Sequence, residues 1–119
     1  MTPAELLASA RQLLDGHSAT TDGMWPRACA FLARQALEAA IDGVWAAHPA
    51  AAGLAGSTTR SQLICLPHYL DPGTAREMAY VYAALSEACH YHAYELAPTA
   101  AELTRWITAV DRLLTATAS

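Results

Sequence analysis

At 119 residues, with 54% apolar and 15% charged residues, the chain is long enough to bury a core of its own and too apolar to be disordered. Its net charge of −4 withholds the basic footprint that non-specific binding to a nucleic-acid backbone needs, though a small local site stays open. No window reaches the roughly eighteen uninterrupted apolar residues of a membrane span, and a start with Glu5 and no basic residue is unlike a signal peptide, so a single cytoplasmic domain without a membrane partner is expected.

The first helix is expected from about Thr2 to Asp15. Thr2-Pro-Ala-Glu5 is a capping box with proline at the first helical position. Leu6, Leu7, Ala10, Leu13 and Leu14 recur at helical spacing, and Gly16 is a natural C-terminal cap. His17 to Gly23 reads as a polar loop. The second helix is expected from about Met24 to Ala47, with the apolar stripe Cys29, Leu32, Ala36, Leu37, Ala40, Ile41, Val44 and Trp45. Arg27, Arg34, Gln35, Glu38 and Asp42 fall mostly off that stripe. Arg34 and Glu38 are spaced for an i,i+4 ion pair. His48-Pro49 closes the helix, because the residue before proline disfavours helical angles.

The alanine- and glycine-rich stretch from His48 to Thr58 reads as a flexible connection. Thr59-Arg-Ser-Gln62 is a capping box for a short helix through Leu63, Ile64 and Leu66, interrupted by Pro67. Asp71-Pro-Gly-Thr74 opens the fourth helix, with Asp71 or Thr74 as cap and Glu77 completing a box from Thr74. Its stripe is Met78, Val81, Tyr82, Leu85, Ala88, Cys89 and His92, and it is expected to end before Pro98. Thr99-Ala-Ala-Glu102 caps the last helix, whose stripe is Leu103, Trp106, Ile107, Val110, Leu113 and Leu114. Period-two alternation is absent. These elements predict an all-α, antiparallel four-helix bundle plus one short extra helix.

The chemistry gathers late in the fourth helix, where Cys89-His-Tyr-His-Ala-Tyr94 holds two of the five histidines. His92 falls on the core stripe, either as a satisfied core histidine or as a general acid/base tuned by burial and by Glu87 or Glu95. The opposite face carries Tyr80, Ala83, Ala84, Glu87, His90, Tyr91 and Tyr94. A solvated face should be charged, whereas aromatics with alanines between them suit helix packing. Either a fifth helix or a second copy of the molecule covers this face; a two-fold homodimer through Tyr80, Ala84, Glu87 and Tyr91 is the favoured expectation, with the Glu87–His92 regions of both copies near one groove. Tyr91 and Tyr94 serve as packing residues or as stacking platforms for bases. Glu87-Ala-Cys-His90 also has the spacing of two metal ligands on one helical face, and would need a third ligand from another helix to hold a mononuclear metal. No cofactor is expected: Gly53 and Gly56 lack the lysine and spacing of a phosphate loop. Cys29, Cys65 and Cys89 form no C-x-x-C pair and read as small buried thiols.

Two segments together are similar to the HEPN family of helical bundles. Ala30-Phe-Leu-Ala-Arg-Gln-Ala-Leu-Glu-Ala-Ala-Ile41 resembles that family's second helix, where a Gln-Ala-x-Glu core follows an aromatic. The late helix with its histidine cluster, a short break and a terminal helix follow in the same order, so the resemblance spans about Met24 to Leu114. It implies a dimer of helical bundles. Many members are metal-independent endoribonucleases of toxin–antitoxin or defence systems, whose motif is an arginine and, a few residues later, a histidine facing its copy across the dimer. Other members have lost the motif and serve as binding or assembly domains. Here the positions upstream of His92 (Glu87, Leu85) and of His90 (Leu85, Ala83) hold no arginine, and Glu87 has the opposite charge. The resemblance therefore implies a degenerate dimeric binding or assembly domain of a bacterial stress or defence system, with RNA, a nucleotide or a cognate protein as possible partner. The alternative it implies is a ribonuclease using His92, His90 and Glu87, with Arg34 or the other protomer supplying the missing cation and Tyr91 and Tyr94 binding substrate.

Overall fold

Thr2 and Glu5 close the expected reciprocal cap: the Thr2 N–H donates to Glu5 Oε1 at 2.9 Å and the Glu5 N–H to Thr2 Oγ1 at 3.1 Å. This cap starts α1 (Pro3–Gly16). The computed structural model describes residues 1–16, 25–90 and 96–117. The other helices are α2 (Trp25–Ala46), α3 (Thr59–Cys65), α4 (Pro72–Cys89) and α5 (Ala100–Thr117), with 3-10 turns over Pro49–Gly56 and Leu66–His68. The protein is all-helical, with no strand among the described residues. None of the described helices is long and apolar enough to cross a membrane.

The hub is α2, which packs against α1, α4 and α5, while α1 and α4 also touch α5. Three partners need more than a narrow stripe. Ala30 and Ala33 join Cys29, Ala36, Leu37, Ala40, Ile41, Val44 and Trp45 in the core, widening the buried arc to about half of the helix circumference at ~100° per residue. Alanine at so many of these sites lets neighbouring backbones come close. Around this arc sit Leu7 and Ala10 of α1, Met78, Val81 and Leu85 of α4, and Leu103, Ile107, Val110 and Leu113 of α5. Each fully buried aliphatic side chain contributes about 1.5–3 kcal/mol relative to exposure. The Cys29 thiol donates to the Ala10 carbonyl at 3.4 Å, tying α2 to α1.

Three sequence expectations are corrected. The stretch His48–Thr58, expected to be flexible, is mostly 3-10 helix with Pro49 at its start and Ala51 buried. Proline presets the first φ, and burial of Ala51 anchors the turns to α2.

The cap of α3 is Thr58, whose Oγ1 accepts from the Ser61 N–H at 3.2 Å, and the expected Thr59–Gln62 box does not form. Gln62 is only 6% exposed and is turned inward. Its Oε1 accepts from Trp45 Nε1 at 3.0 Å, and its Nε2 donates to Ser57 O at 3.0 Å and Ala55 O at 3.4 Å. Tyr69 adds an edge-on ring contact to Trp45 at 5.4 Å. One buried amide thus fastens the 3-10 segment and α3 to the end of α2.

At α4 the cap is Asp71, which accepts from the Thr74 N–H at 3.0 Å. Glu77 completes no box from Thr74 and instead receives both Nη groups of Arg112 on α5. The helix ends at Cys89, before Pro98 as expected. His90 adopts φ −120°, ψ 16° and its N–H bonds three residues back to Glu87 O at 3.1 Å, the tightened closure common in a last turn. Thr99 and Glu102 form the expected reciprocal cap of α5, at 2.9 and 3.0 Å.

Candidate functional site

Glu77 early in α4 holds Arg112 late in α5, and Glu87 late in α4 shares a hollow with Glu102 early in α5. The two helices therefore run antiparallel, with a groove along their seam. One hollow, of about 570 Å³, is walled by Tyr80, Ala84, Glu87, Leu96, Glu102 and Trp106. An adjoining one, of about 500 Å³, is walled by Glu77, Tyr80, Arg105, Trp106, Ala109 and Arg112. Tyr80 and Trp106 belong to both and mark the middle. Alanines at 83 and 84 leave the floor low, while Tyr80 is 69% exposed and Leu96 97%.

The charges on this groove are unevenly committed. Arg112 is held by Glu77, and Glu102 caps α5 through Thr99. Glu87 and Arg105 have no side-chain partner among the described residues. Tyr80, Ala84 and Glu87, expected on one face, do line one wall. A further helix is one of the two covers expected for this face; what the apolar stripe of α5 does not reveal is that Trp106, which falls on it, is only partly buried and lines both hollows. The available signal was a second helical spacing on α5, through Glu102, Arg105, Trp106, Ala109 and Arg112.

Away from this groove, Arg34 stands on α2. Its Nε is 3.5 Å from Glu38 Oε1 as an i,i+4 ion pair, and this buried N–H has no hydrogen-bond partner among the described residues. The guanidinium also sits 5.7 Å over the Phe31 ring, a cation–π contact. A hollow of about 650 Å³ opens beside it, walled by Met1, Leu6, Phe31, Arg34, Glu38 and Asp42. The charge of Arg34 also reaches the end of α4. Burial pushes the Cys89 thiol up; the nearby Arg34 pulls it down, Glu38 raises it and Arg27 lowers it. Cys29, buried without a countercharge, is pushed up to about 11.

Glu87 and Arg34 thus line different hollows, the second walled by α1 and α2, and His90 is exposed at the helix end. Tyr91, His92 and Tyr94, named from the sequence as catalytic or substrate-binding candidates, lie outside the described residues, as does Glu95. Among the described residues no group of three or more His, Cys, Asp or Glu side chains gathers as a metal site, so the Glu87–His90 pair gains no third ligand there. No family model matches the chain, and neither does any curated protein or solved structure.

Proposed function

We propose that the chain is a HEPN-like antiparallel four-helix bundle with one short extra helix, acting in the cytoplasm as a dimeric binding or assembly domain of a bacterial stress, toxin–antitoxin or defence system. The observation that carries this reading is the open groove along Tyr80, Ala84 and Glu87. A carboxylate with no cation partner among the described residues stands where a phosphate-cleaving member would need arginine. Charge developing on a phosphate would be repelled there. The aromatic and alanine surface around it suits protein contact. A second copy is the first partner on this reading, and a cognate protein, an RNA or a nucleotide is a further one. Light scattering of the purified protein tests it. A dimer that Ala84→Glu dissociates is the expected result, and a strict monomer at all concentrations ends the proposal.

A second reading has its own observation. Arg34 on α2, whose charge lowers the Cys89 thiol in the last turn of α4, is the cation that a metal-independent endoribonuclease would require on this reading. RNA incubated with the protein in EDTA would then be cut, and both His92→Ala and Arg34→Ala would abolish the cut. Intact RNA with the native protein removes this reading.

A further inference from the structure

We draw no further inference here: the strongest candidate, the open groove along the α4–α5 seam with the exposed Tyr80 ring facing Trp106 across it, carries nothing beyond the proposed function, because nothing in the structure shows what covers it.

Discussion

At the scale of single residues, Gln62 and Cys29 show how burial turns ordinary side chains into structural commitments. Gln62 satisfies one indole donor and two carbonyls at once. Gln62→Leu keeps an apolar body but strands Trp45 Nε1, Ser57 O and Ala55 O. An unsatisfied buried polar group costs about 1–3 kcal/mol, so the urea midpoint should fall by at least that equivalent, with a shifted Trp45 emission. An unchanged midpoint would show that water replaces the amide without loss. Cys29 makes a pH-dependent contribution. Its thiol is raised from 9.0 to about 11 by desolvation, so the folded state favours the neutral form. That stability is whole below pH 9 and drains away as pH rises through 11. The destabilisation caused by Cys29→Ala should therefore shrink steadily between these pH values, and a constant penalty would contradict it. Neither effect is legible in sequence, where Gln62 looks like a cap residue and Cys29 like one more apolar position.

At the scale of elements, legibility follows sequence distance. The Thr2–Glu5 and Thr99–Glu102 boxes involve partners three residues apart, and both form as their spacing predicts. The Thr59–Gln62 box fails because Trp45, seventeen residues away, claims the Gln62 amide. Glu77 is claimed in the same way by Arg112, thirty-five residues on. Short-range rules are overruled where a distant partner offers burial or charge. The last residue of α4 was hidden for another reason: the apolar spacing continues past Cys89 to His92, and neither glycine nor proline marks the stop. Thr99→Ala tests the box that was legible. It removes the acceptor for the Glu102 N–H at an exposed helix start, which costs about 1 kcal/mol. The thermal midpoint should fall accordingly, while Thr99→Ser should leave it nearly unchanged. Equal losses from both substitutions would assign the effect to the threonine methyl group.

At the scale of the whole molecule, the apolar periodicities of α1, α2, α4 and α5 sufficed to read an all-helical chain, because each buries a face with the 3.6-residue period. How those helices meet was not legible. The groove needs α5 beside α4, and the pull of Arg34 on the Cys89 thiol needs α2 beside the end of α4; both join residues far apart in sequence. The wide buried arc of α2 has a consequence for cooperativity. Leu37 is 0% exposed on the helix that touches α1, α4 and α5. Leu37→Ala should cost about 2–5 kcal/mol through lost transfer energy and the cavity left behind. Against a total of about 5–15 kcal/mol for a typical domain, that is a large fraction. The exposed Arg11–Asp111 pair, at 3.2 Å, is a suitable contrast, because its loss should cost at most about 1 kcal/mol. Because α2 supports three other helices, the Leu37 loss cannot stay local: α1, α4 and α5 each lose part of the surface they pack on. Urea unfolding of Leu37→Ala followed by far-UV circular dichroism and by tryptophan fluorescence should give coincident curves at a lowered midpoint. Curves that separate would mean that α4 and α5 hold together after α2 lets go, and the seam between them would then be stable without the hub.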